Sequence, residues 1–234
     1  MSSALGRRLV AEAVGTGFLV AAVVGSGIAA QRLSPTDAGL QLLENALVTG
    51  AVLTALILAL GSVSAAFNPV VTLVLRSRGE PMAALLAVIA AQVAGGAVGA
   101  VTANLMFDQP AVTVATTVRS GSGVWLAEVV ATVGLVLVIA GAARAGGPRW
   151  VAVAVGGYLA GAYWFTSSTS FANPAVTLAR TLSDTFAGIS PGSAPGFLVA
   201  QGIGGLLGYL LCRTVFPVAG RAAPDVATAP QGVT

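Results

Sequence analysis

"SAAFNPVVTLVLR" (residues 64–76) and "STSFANPAVTLAR" (residues 168–180) are near copies of one stretch, far apart in the chain. Each holds an Asn-Pro pair inside a strongly apolar region. Asparagine is costly in hydrocarbon unless its amide is bonded, and proline removes a backbone donor. Both difficulties disappear at one place, the start of a helix. There Asn is a good cap, and Pro suits the first helical position because its missing N–H would have no partner anyway. Asn68-Pro69 and Asn173-Pro174 therefore read as the starts of two short helices, over 68–76 and 173–182. Each is too short to cross a bilayer.

Composition sets the environment. Of the 234 residues, 56% are apolar and only 8% are charged, against about 25% charged in an ordinary soluble domain. The mean hydropathy is +0.91. The chain reads as an all-α membrane protein. Its 30 glycines, many beside alanine, suit close helix packing. A basic pI near 9.8 does not point to nucleic acid. Every basic residue is arginine, and most lie between apolar segments, where they act as topology signals. One cysteine and no histidine exclude an internal disulfide and a structural zinc site, so no metal or cofactor is expected.

Six apolar segments are long enough to span: 9–30, 40–62, 82–106, 124–145, 150–166 and 196–216. Arg7 and Arg8 precede the first, which imitates a signal peptide but runs long enough to be retained as a span. Arg7, Arg8, Arg76, Arg78, Arg144, Arg149, Arg213 and Arg221 fall on one side. Arg32, Arg119 and Arg180 fall on the other. The arginine-rich side is expected to be cytoplasmic, with both termini there, in a plasma (inner) membrane. The echoes continue beyond the Asn-Pro boxes. "AEAVGT" (11–16) returns as "AEVVAT" (127–132), and "AQVAGG" (91–96) as "AQGIGG" (200–205), in the same order. Residues 1–222 thus form one domain of two repeats, about 9–106 and 124–216, with 223–234 expected to be a disordered tail. Three spans per repeat turn the second copy upside down. In inverted repeats, broken helices meet near the midplane and form the working site.

The two short helices are expected to enter from opposite sides and meet end to end. Irregular backbone such as "GSVSAAF" (61–67) and "SSTSFA" (167–172) is tolerated at that depth only if buried or lining water. Two helix N-termini, each with about half a positive charge, oppose protons and cations while neutral molecules pass.

The paired boxes, with Glu12, Gln92, Glu128 and Gln201 in order around them, resemble the major intrinsic proteins, the aquaporins and aquaglyceroporins. The resemblance covers nearly the whole chain. It implies six spans plus two re-entrant half-helices, one pore per protomer, a homotetramer, and Asn68, Pro69, Val70, Asn173, Pro174 and Ala175 at the constriction. The run "SFANPAVTLAR" followed by "SDTFAGI" resembles bacterial members found near arsenic-resistance genes.

The sequence also departs from the family. The first box has Val70 where the family has Ala, adding bulk beside the midplane. The usual His in the loop before that box is absent. Val176 follows the second box where the family carries the filter arginine. Counting back from each Asn at the family's spacing puts the other filter positions at Val48, Gly161 and Ser170. That filter is wide and uncharged, although Tyr163, Trp164 and Phe165 crowd close to it. Arg180, four residues beyond Val176, is expected on the same helix face, carrying the positive charge to the pore mouth. The alternative has it turned sideways to Asp184 or capping nearby carbonyls. Trp125, Trp150 and Trp164 read as interface anchors.

Glu12 and Glu128 are intramembrane acids, functional suspects by default. The resemblance favours a supporting role, each carboxylate bonding the loop ahead of a half-helix, with Gln92 and Gln201 assisting. The reading is a passive channel for small neutral solutes: glycerol-like polyols, neutral metalloid hydroxides such as arsenite, and some water. Its partners are those solutes and the lipid bilayer, with no nucleic acid. Narrower or rarer alternatives are a water-selective pore and an ion-coupled transporter. The transporter lacks a titratable group at the midplane. Without His or Lys, hydrolytic dyads have no base, so no enzyme is expected.

Overall fold

The computed structural model describes residues 3–75 and 80–216. Arg76, Arg78, Arg221 and the 223–234 segment lie outside the described residues. Among those described, every regular element is helical: α1 (Ser3–Leu33), α2 (Ala38–Leu60), α3 (Pro69–Val74), α4 (Met82–Met106), α5 (Ser122–Gly146), α6 (Pro148–Phe165), α7 (Pro174–Ala179) and α8 (Ala194–Val215), with one 3-10 turn at Arg180–Leu182. Five of the long helices meet the length and hydropathy needed to cross a membrane. The sixth, α6, has 18 residues. Six long helices and two six-residue ones make the expected six-plus-two arrangement.

Local chemistry sets the helix ends. Asp37 caps α2 by accepting the Leu40 N–H at 2.9 Å. Asn68 caps α3 through Val70 N–H at 2.9 Å, and Asn173 caps α7 through Ala175 N–H at 3.0 Å and Val176 N–H at 3.3 Å. A proline stands at the first position of each short helix.

Small residues bring the long helices together in pairs. A Cβ on Gly95 would fall on the Ala13 backbone, and one on Gly99 on that of Gly17, so α1 and α4 pack backbone to backbone. Gly204 and Gly208 likewise bring α8 close to α5, where a Cβ would meet the Val129 backbone and the Val136 side chain. Each glycine pair stands three and seven residues after its repeat's glutamine, Gln92 or Gln201, so both halves are closed by one device.

The half-helices come in from opposite faces. Beyond α3, Glu80 forms an ion pair with Arg8 near the start of α1. Beyond α7, the Leu182 carbonyl accepts from Asn104 near the end of α4, at 3.0 Å. Their N-termini meet between these faces. Trp125, Trp150 and Trp164 sit near ends of α5 and α6 with exposed side chains.

Candidate functional site

The meeting point is built from crossed hydrogen bonds. Asn68 Nδ2 donates to the Ala172 carbonyl at 2.7 Å, and Asn173 Nδ2 donates to the Phe67 carbonyl at 2.7 Å. Each asparagine thus caps its own helix with its oxygen and clasps the opposite loop with its nitrogen. The carbonyls are turned across because Phe67 and Ala172 both sit in the left-handed region, at φ 47°. That conformation costs a residue with a Cβ about 1–2 kcal/mol.

Buried carboxylates hold the strained loops. Glu12 accepts from Ser64 Oγ at 2.5 Å, Ala66 N–H at 2.9 Å, Phe67 N–H at 2.7 Å and Gln92 Nε2 at 2.7 Å. Glu128 accepts from Phe171 N–H at 2.8 Å, Ala172 N–H at 2.9 Å and Gln201 Nε2 at 2.7 Å. The glutamines also donate to Thr72 and Thr177 on the half-helices, both at 2.9 Å. Both carboxylates are fully buried, and their oxygens are occupied by loop donors.

A narrow cavity of about 70 Å³, taken as part of the candidate channel, reaches this point. Its wall is apolar, including Leu19, Leu53, Ile57, Leu135, Val155 and Leu159, and it reaches Asn68, Asn173 and Phe171. A water needs about 10–15 Å³ of such space, so there is room for several. The two amides are the polar side chains on an otherwise greasy wall.

The four expected filter positions differ in exposure, and so do their neighbours. Val48 is 40% exposed, on the face of α2 away from Leu53 and Ile57, whereas Thr49 is 2% exposed and in line with them. Gly161 is exposed with open space where its Cβ would be, whereas Ala162 is fully buried, three residues after the channel-lining Leu159. Ser170 is buried at φ 49°, and its neighbour Phe171 borders the channel with its ring packed on Phe197 at 4.9 Å. Val176, counted forward along a helix, is buried in the core. Adjacent positions on a helix point about 100° apart, so each neighbouring pair presents one side chain inward and one outward. Val70 does not narrow the channel. It packs on α8, where a Cβ on Gly205 would come within 2.5 Å of its Cγ1.

Arg180 takes its alternative place, bonded to a nearby carbonyl. It is 2% exposed, inside the protein and not at an open mouth. The α-helix ends at Ala179 and tightens to 3-10 at Arg180, which breaks the i, i+4 register with Val176. Its guanidinium lies 3.4 Å from the Phe171 ring centroid and its Nε donates to the Ala187 carbonyl. Asp184 bonds elsewhere, to the N–H and hydroxyl of Thr116 at 2.8 and 3.0 Å. Arg119, from the loop before α5, reaches the same ring at 5.4 Å and donates to the carbonyls of Gly188 (2.9 Å) and Phe186 (3.0 Å). Burial pulls Arg119 below the ordinary arginine pKa, while Tyr163 and Glu128 act in the opposite sense.

A family model described as major intrinsic protein matches residues 1–148. The aquaglyceroporin AqpS of Rhizobium meliloti (strain 1021) is 46% identical over 231 residues, which cover 95% of this chain and 97% of that protein. The X-ray structure of the aquaglyceroporin from Plasmodium falciparum is similar with a TM-score of 0.70, covering 90% of this chain and 96% of that one. At 21% identity, the second likeness speaks to the fold alone.

Proposed function

Because the chain belongs to the major intrinsic protein family, we propose that it is a passive transmembrane channel for small neutral solutes: glycerol-like polyols, neutral metalloid hydroxides such as arsenite in its protonated form, and some water. The observation that carries the reading is the pair of crossed asparagines at the end of a narrow apolar channel. Two half-helix N-termini there oppose cations, and the amides replace hydration for a hydroxylated solute. The 46% identity to a protein named aquaglyceroporin supports polyols over water alone. The arsenite part rests on the resemblance of the second box and its flank.

The channel unit spans residues 1–222, works as a homotetramer, and lies in the plasma (inner) membrane as a multi-pass protein with both termini cytoplasmic. The distribution of arginines supports that orientation. Thr49, Ala162, Phe171 and Val176 form the outer filter, a set with one ring and no charge of its own. The Phe171 ring favours a narrower second reading, a water-selective pore.

Stopped-flow light scattering on proteoliposomes separates the two. Glycerol and arsenite flux above that of empty liposomes supports the first. Fast water flux with neither solute overturns it and leaves the water pore.

A further inference from the structure

The outer end of the channel holds two buried or partly buried cations that the channel reading does not itself require. Arg180 and Arg119 flank the Phe171 ring at 3.4 and 5.4 Å. Three consecutive carbonyls, of Phe186, Ala187 and Gly188, grip both guanidiniums. Among the described residues, neither arginine is in an ion pair; the one salt bridge there is Arg8 with Glu80. The nearby Glu128 spends its oxygens on the loop N–H groups of Phe171 and Ala172 and on Gln201. Carbonyl dipoles solvate a cation without cancelling its charge. Two unneutralised charges held in low dielectric cost folding free energy, so their retention calls for a return in function.

The channel wall supplies that return. Phe171 borders the channel and both guanidiniums lie against its ring, so both charges stand close to the channel wall. They need not touch a solute, because a charge acts through a ring, and water screens it poorly in a buried site. We propose that Arg180 and Arg119 together form the outer cation barrier of this channel, acting from behind the Phe171 ring in place of a charged side chain at Val176. This rests on the channel reading above, and it names the residues that set the selectivity of that same pore. The arrangement excludes protons and metal cations while leaving the filter itself free of a bulky charged group. At an effective dielectric of about 20, a unit charge this close to the channel wall changes cation partition by about tenfold or more.

The test uses the full chain in proteoliposomes, with a trapped pH dye reporting proton leak under a potassium–valinomycin potential, and water permeability reporting an open pore. Arg180→Met and Arg119→Gln should each raise the leak at least about tenfold over the wild type, and the double variant further, with water permeability within about twofold. Arg180→Lys keeps the charge and should stay tight. Arg32→Gln is the control. It removes the same charge from the same side, where Arg32 stacks on Phe107 at 5.3 Å, away from the channel. If Arg180→Met does not reconstitute, Arg119→Gln carries the test. Tight Arg119→Gln pores with normal water flux overturn the proposal, as does an equal leak in Arg32→Gln. A wild type that passes water but no glycerol sinks the polyol reading, while the leak ratios still decide the barrier.

Discussion

Thr49 and Tyr163, on helices from opposite repeats, meet through their hydroxyls at 3.3 Å. Both side chains are buried, at 2% and 3% exposure. The bond closes α2 against α6 at the end of the channel where Phe171 stands. Thr49 lies one and two turns before the channel-lining Leu53 and Ile57, on their face. In the proposed filter, bulk added at position 49 enters the channel, whereas Val48 is exposed on another face of α2. Thr49→Phe should reduce glycerol and water flux at least about tenfold, whereas Val48→Phe should leave both within about twofold. Equal effects of the two substitutions in proteoliposome flux assays would return the filter position to Val48.

The buried carboxylates support a second prediction. Glu12 accepts four donors and Glu128 three, most of them from strained loops. Hydrogen bonds to a charged group are worth about 1.5–3 kcal/mol each, and an amide in its place presents donors where acceptors are needed. Glu12→Gln and Glu128→Gln should each destabilise the protein by about 3 kcal/mol or more. Thermal unfolding in detergent reads that loss. A proton-coupling role for these acids predicts the opposite pattern: stable protein with altered pH dependence of flux.

The repeat and its half-helices were legible because their causes are local. An Asn two residues before the N–H it caps, with Pro between, needs no knowledge of the rest of the chain. The carboxylates and glutamines were legible through their repeated positions. The filter was not. Positions 48, 161 and 170 were reached by counting back through loops in which Phe67, Thr169, Ser170 and Ala172 all adopt positive φ. Such backbone has no constant advance per residue, so a count through it does not fix which way a position faces. Arg180 was left between two places for a related reason, since its helix changes type at that residue. Its carbonyl partner at Ala187 and the approach of Arg119 are tertiary facts that no local pattern encodes.

Val70 gives a third prediction. It is 7% exposed and packs on α8 at Gly205, away from the channel. The second box has Ala175 at the equivalent place, so the difference between the boxes is one of helix packing. Val70→Ala should leave the glycerol-to-water flux ratio within about twofold, and lower stability by about 2 kcal/mol through the cavity it opens. A changed solute profile with unchanged thermal stability would place Val70 in the pore wall.

The last prediction concerns how the two repeats divide the same volume. A Cβ on Gly15 would fall on the Phe67 ring, so that ring packs directly on the α1 backbone. Phe67 also presents the carbonyl that Asn173 clasps. In the second repeat the equivalent residues are Ala131 on the helix and Ala172 in the loop. There the helix carries a side chain and the loop residue has no ring. Gly15→Ala should displace the Phe67 ring, costing about 1–3 kcal/mol by overpacking, and disturb the carbonyl held by Asn173. Phe67→Ala alone should cost about 3–5 kcal/mol through the cavity it leaves. The double variant reproduces the small-residue pairing of the second repeat, so it should be more stable than the sum of the two single losses implies. A coupling of at least about 1 kcal/mol in a thermal-unfolding double-mutant cycle is the expected result. Additive losses would mean that the ring and the glycine are not one packing unit. Water flux in the double variant then reads whether the Asn173–Phe67 clasp survives the exchange.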